Sequence, residues 1–121
     1  MTGYKKLEAW KKSMLLVKAI YLLTKNYPKE ELYALTSQTK RAVVSVPCNI
    51  AEGCGRNYKK DTIQFLHISR GSLYEVETLL SVALMTTIIN KEQFNTIAEQ
   101  IDECVKILNG LITYYEKSNL K

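Results

Sequence analysis

The sequence is poor in residues that break regular structure and in residues that do chemistry. Its 121 residues include 5 glycines and 2 prolines, too few for the many turns of a β-sandwich or barrel. The single histidine, His67, follows Gln64 by three positions, so the Glu-x-x-His pairs that hold metals inside four-helix bundles are missing. Three cysteines, Cys48, Cys54 and Cys104, show no C-x-x-C spacing and have no second histidine to complete a zinc site. Their odd number suits reduced thiols packed as small hydrophobes. No metal and no other cofactor is expected.

Nucleophilic machinery is equally scarce. A thiolate pair of Cys54 with His67 is conceivable, but nothing in the sequence brings the two together. Gly53-Cys54-Gly55-Arg56 lacks the Gly-Lys-Ser/Thr ending of a phosphate-binding loop, and it follows a helical pattern where a dinucleotide fingerprint follows a strand. No catalytic residue is assigned, and a non-enzymatic protein is the expectation. The longest apolar run, Met14 to Leu23, is interrupted by Lys18 and falls short of the roughly 18 residues a spanning helix needs. The N-terminal segment is lysine-rich and amphipathic, unlike a signal peptide. A cytoplasmic protein with no membrane partner follows.

What is present is helical periodicity. Hydrophobic residues make up 46% and charged ones 24%, a globular balance that argues against disorder. Four segments repeat apolar residues at 3-4 spacing: Leu7, Trp10, Met14, Val17, Tyr21, Thr24; Leu32, Leu35, Thr39, Ala42, Val46, Asn49; Leu66, Ser69, Leu73, Val76, Leu80, Ala83; and Phe94, Ile97, Ile101, Cys104, Leu108, Leu111, Tyr115. The fold class expected is all-α: one domain over residues 1–121, with helices at roughly 5–26, 28–54, 58–88 and 91–117. Short connections make it an up-down-up-down antiparallel four-helix bundle. Pro28 suits a first helical turn, Gly53 and Gly55 suit a helix end, and Asn90 with Gln93 reads as a capping box. Pro47, inside the second segment, is expected to bend or interrupt it.

The charge is unevenly distributed. The net charge is +5, yet residues 1–60 carry 12 basic and 4 acidic residues, a net of +8, and residues 61–121 carry 5 and 8, a net of −3. The basic half either mates with an acidic surface, faces a polyanion, or is simply solvated. Lys11, Lys12 and Lys18 on the first helix, Arg41 on the second, and Arg56, Lys59 and Lys60 at the start of the third are the candidate phosphate contacts. Tyr4, Tyr33 and Tyr58 could supply stacking faces nearby. Ser45, Asn49 and Glu52 share a face of the second helix with Arg41 and Arg56, and Gly71-Ser72 with Glu75 offers a close-approach partner on the third. Asn49, Glu52, Ser72 and Glu75 are therefore read as a polar network that fixes helix register, with ligand binding as the alternative. Leu15 and Leu22 point away from the first helix's main stripe; either they cover a second copy of the chain or they are ordinary exposed leucines.

The run Gln38-Thr39-Lys40-Arg41-Ala42-Val43-Val44-Ser45-Val46-Pro47-Cys48-Asn49-Ile50-Ala51-Glu52-Gly53-Cys54-Gly55-Arg56 resembles the signature of the four-helix-bundle proteins encoded in 23S ribosomal RNA intervening sequences. Leu7-Glu8-Ala9-Trp10, Ile20-Tyr21 ahead of Tyr27-Pro28, Phe65-Leu66 leading to Gly71-Ser72-Leu73-Tyr74-Glu75, and Leu108-Asn109-Gly110-Leu111 extend the resemblance over nearly the whole chain. Thr39 and Lys40 depart from it, standing where the family often has an aliphatic residue or another arginine. The resemblance implies a bacterial protein that assembles as a ring-like homopentamer. It also implies kinship with the accessory variability determinant of diversity-generating retroelements, a basic bundle that binds nucleic acid and a reverse transcriptase. RNA or DNA, a reverse-transcriptase-like protein and further copies of the chain are the partners it names. A protein-interaction scaffold without nucleic-acid binding is the alternative.

Overall fold

The computed structural model describes residues 3–121; Met1 and Thr2, at the edge of the expected domain, lie outside the described residues. Four long helices form: α1 (Glu8–Thr24), α2 (Ser37–Cys54), α3 (Lys59–Met85) and α4 (Lys91–Lys117), and there is no strand among the described residues. Each helix packs on its two neighbours in the cyclic order α1-α2-α3-α4. Side-chain pairings fix the directions. Ser45 meets Ser72 and Val46 meets Ser69 across α2 and α3, Arg70 meets Asn109 across α3 and α4, and Lys12 meets Glu103 across α1 and α4. Lys40 lies over the Tyr21 ring across α1 and α2. Tyr21 late in α1 meets Lys40 early in α2, Gly53 late in α2 meets Thr62 early in α3, and Lys59 at the start of α3 bonds Ser118 just past α4, as an up-down-up-down antiparallel bundle requires. No described helix is long and apolar enough to cross a membrane.

The core is filled by Leu16, Ile20, Val43, Val46, Ile50, Leu66, Leu73, Leu80, Ile101 and Leu108, all essentially inaccessible. On α3 the expected stripe is buried at every position. On α1 it is displaced: Met14 and Tyr21 are exposed, and the buried line is Ala9, Ser13, Leu16, Ile20 and Thr24. Two hydroxyls explain the shift. Ser13 Oγ donates to the Trp10 carbonyl at 2.8 Å and Thr24 Oγ1 to the Ile20 carbonyl at 2.9 Å, so both polar side chains are satisfied by their own helix and can be buried.

The second helical segment changes winding along its length. A 3₁₀ turn at Lys29–Glu31 and a π turn at Leu32–Thr36 precede α2, leaving Leu32 47% exposed and off the core stripe. Beyond them, α2 runs uninterrupted through Pro47, which is buried. Ser69 of α3 donates to the Val46 carbonyl at 2.8 Å, tying the helices together beside that proline.

Helix ends use distinct devices. Asn90 and Gln93 form the expected reciprocal capping box at 2.8 Å each way. α3 stops at Met85, three residues earlier than expected, through a Schellman turn: Ile88 N–H reaches the Ala83 carbonyl and Thr87 N–H the Leu84 carbonyl. Thr87 takes the left-handed conformation there (φ 62°), a place normally held by glycine, which hid the stop in the sequence. Gly53 lies inside α2 and ends nothing. A Cβ on it would stand 2.9 Å from Phe65 Cβ and 3.1 Å from the Thr62 carbonyl oxygen, so its lack of a side chain lets α3 approach. Gly71, expected to serve such an approach, has nothing within 4 Å of its Cβ position.

Candidate nucleic-acid interface

The antiparallel order gathers three chain segments at one end of the bundle: the 3₁₀ turn Gly3–Lys6 that leads into α1, the α2–α3 junction, and the end of α4. Local bonds make this junction rigid. Thr62 Oγ1 donates to the Gly53 carbonyl at 2.7 Å, and the Arg56 guanidinium lies 4.6 Å from the centre of the Phe65 ring. Lys59 is half-buried and committed. Its ammonium donates to the Ser118 carbonyl at 3.0 Å and the Glu116 carbonyl at 3.4 Å, and its backbone N–H reaches the Lys121 carbonyl at 3.1 Å. A cation on the last carbonyls of α4 answers their unpaired lone pairs and the negative end of the helix.

Over the connections and the three terminal residues of each helix, this end carries Lys5, Lys6, Arg56, Lys59, Lys60, Lys117 and Lys121 against Glu8, Glu52, Asp61 and Glu116, a net of +3. Over the same reach the opposite end balances Lys25, Lys29 and Lys91 against Glu30, Glu31 and Glu92, with Lys40 one residue further in. Of the seven candidate contacts, Arg56, Lys59 and Lys60 are therefore brought together. Lys117 and Lys121 join them only through the fold; they belong to the acidic half of the sequence, where charge counting gave no signal.

The other candidates lie elsewhere. Lys12 pairs with Glu103 at 3.1 Å, and this hydrogen bond raises its pKa further above the usual lysine value. Lys12 and Lys18 flank a groove of about 390 Å³ between α1 and α4, floored by Leu15, Ala19 and Leu22. Lys11 is exposed on α1. Arg41 opens onto a polar groove of about 550 Å³ between α2 and α3, lined also by Tyr33, Ser37, Gln38, Ser45 and Glu75. The seven residues thus do not form one surface.

The polar residues of α2 and α3 likewise divide. Asn49 Nδ2 donates to the Ser45 carbonyl at 2.8 Å and to Ser45 Oγ at 2.9 Å, and Ser45 Oγ lies 2.9 Å from Ser72 Oγ. Asn49 and Ser72 so meet through Ser45, which bridges the helices. Glu52 stands apart, accepting from Arg56 at 2.8 Å with both side chains about half exposed, and Glu75 is exposed on the α2–α3 groove. His67 is bonded to Arg70 at 2.8 Å, whereas Cys54 meets the Tyr115 hydroxyl, so the two do not pair. Cys104 is packed as a hydrophobe, its thiol pushed up to about 11 by burial and then by Glu103; Cys48 is exposed, against expectation. Among the described residues no three His, Cys, Asp or Glu side chains gather as metal ligands would.

The family model for the 23S rRNA-intervening sequence protein matches residues 5–110. The chain belongs to that family. As a 23S rRNA-intervening sequence protein it has a solved structural relative, a protein of unknown function from the S23 ribosomal protein family of Bacteroides thetaiotaomicron. The two are 25% identical, with a TM-score of 0.77 over 86% of this chain and 97% of that one. No curated protein matches it significantly. The 23S rRNA-intervening sequence family match begins at Lys5, inside the N-terminal turn, and stops before the end of α4 that Lys59 holds.

Proposed function

We propose that the protein is a non-enzymatic, homo-oligomeric bundle that binds RNA or other nucleic acid by phosphate contacts at its basic end. The observation that carries this is the one-ended charge, net +3 where the α2–α3 junction, the N-terminal turn and the α4 terminus converge and balanced at the other end. Cations held close on a rigid junction give affinity for a phosphate backbone without reading its sequence. Lys60, Lys5 and Lys6 are the exposed contacts; Arg56 joins them by exchanging its exposed partner Glu52 for phosphate, at little cost because such surface pairs are weak. Lys59 acts as a positioning residue.

Binding to structured RNA and to duplex DNA across a salt titration tests the reading. Affinity should fall linearly with salt on logarithmic axes, and Lys60→Gln or Lys6→Gln should each reduce the slope by about 1. Affinity no better than about millimolar at low salt, or indifferent to salt, rejects it in favour of a protein-interaction scaffold.

Self-association rests on a separate feature. Leu15 and Leu22 are 59% and 53% exposed on the α1–α4 groove, where a solitary bundle gains nothing from them. A second copy, in the ring of five that the family resemblance implies, would cover them. Light scattering should give a mass above 13.9 kDa that Leu15→Lys with Leu22→Lys reduces to the monomer. A wild-type monomer at high concentration rejects the assembly.

A further inference from the structure

We propose that a cleft at the basic end receives one base turned out of a single-stranded polynucleotide, while neighbouring cations hold the flanking phosphates; this inference rests on the nucleic-acid reading above. The cleft has a volume of about 460 Å³ and lies where three helix ends meet, walled by Tyr4, Leu7, Ala51, Cys54, Gly55 and Tyr115. That volume is in the range of small-molecule sites, and its composition is what a nucleobase needs: mostly apolar walls, two aromatic rings and a few hydrogen-bonding groups.

Each ring has an aromatic neighbour. Tyr4 packs edge-on against Trp10, with centroids 5.6 Å apart, and Tyr115 packs edge-on against Tyr114 at 5.4 Å. The polar groups within are the Cys54 thiol and the Tyr115 hydroxyl, which lie near each other. Burial raises the pKa of both, so both are protonated and neutral at pH 7, and the cleft sets no anion against an incoming phosphodiester. Each can donate to or accept from a base edge.

Cations flank the cleft walls along the chain. Lys5 and Lys6 directly follow Tyr4, Arg56 directly follows Gly55, and the Lys59 ammonium is fixed at Ser118, just past Tyr115. Charge complementarity therefore chooses the occupant. A neutral apolar ligand has no use for these cations, and a duplex keeps its bases stacked away from the cleft. A single strand offers a free base and a phosphate on each side of it.

The test uses a short oligothymidylate strand carrying one 2-aminopurine, a fluorescent base that dims on stacking. Binding to the wild-type chain should quench it. Tyr4→Ala should weaken strand binding by about tenfold to a hundredfold, as loss of one stacked base implies, while duplex binding is unchanged and Tyr4→Phe retains affinity. Tyr4 lies in the N-terminal turn outside the core, and circular dichroism checks the fold of the variant. A strand that binds with no quenching, or that binds Tyr4→Ala as tightly as wild type, overturns the cleft and leaves the nucleic-acid reading standing. Failure of every polynucleotide to bind at low salt overturns both. Free 2-aminopurine ribonucleotide binding as tightly as the strand overturns the strand as occupant.

Discussion

The two ends of the bundle solve one problem in opposite ways. Each must terminate two helices and start two others or a tail, leaving backbone groups to satisfy. At the end holding the α2–α3 junction, side chains do this: Thr62 bonds the Gly53 carbonyl, Lys59 bonds the carbonyls after α4, and Arg56 stacks on Phe65. At the other end backbone turns do most of it (3₁₀, π and Schellman), with the Asn90 and Gln93 side chains closing one capping box and no cation used. The first solution recruits cations and leaves several unspent; the second needs none and stays neutral. The charge asymmetry so grows out of how helices are closed.

The comparison can be broken most sharply at Gly53. Gly53→Ala forces a Cβ against Phe65 and the Thr62 carbonyl oxygen, and should cost about 1–3 kcal/mol in chemical denaturation. A loss under a few tenths would mean that the junction is looser than its contacts suggest. At the neutral end the expected sign reverses. Thr87→Gly relieves a β-branched residue of a left-handed conformation and should stabilise by about 1 kcal/mol, read as a rise in Tm. Tyr27, next to that end, is buried with its hydroxyl unpartnered. Tyr27→Phe should therefore leave the protein equal or more stable, by up to about 1 kcal/mol, and a clear loss would reveal a partner for the hydroxyl. The smallest effect is expected of Glu52→Ala. The pair it breaks is about half exposed, so Tm should hardly move, by no more than about 0.5 kcal/mol in stability. Its affinity for nucleic acid should rise, because Arg56 is released.

The sequence was most readable where a helix buries only what looks apolar. The stripe on α3 could be read residue by residue, whereas on α1 the buried Ser13 and Thr24 look polar until their bonds to the helix backbone are known. The Asn90 capping box was legible because its two partners lie three residues apart. The stop at Thr87 was not, because a threonine stands where the turn asks for glycine. For the site, Arg56, Lys59 and Lys60 were visible as a local cluster. The cleft was hidden because its walls come from residues 3–7, 51–55 and 115, distant in sequence and joined only by antiparallel packing. The same distance concealed that Lys59 is spent on the end of α4, and that Lys117 and Lys121 belong with the cations of the other half.

An even number of antiparallel helices also has a practical consequence. Residues 3 and 121 emerge at the same, positively charged end of the molecule. An affinity tag or fluorescent fusion joined ahead of residue 3 or after residue 121 therefore hangs beside these cations, and an acidic tag would pair with them. A reporter grafted into the turn at Thr86–Thr87, where both residues are exposed, sits a full helix length away and leaves that end clear.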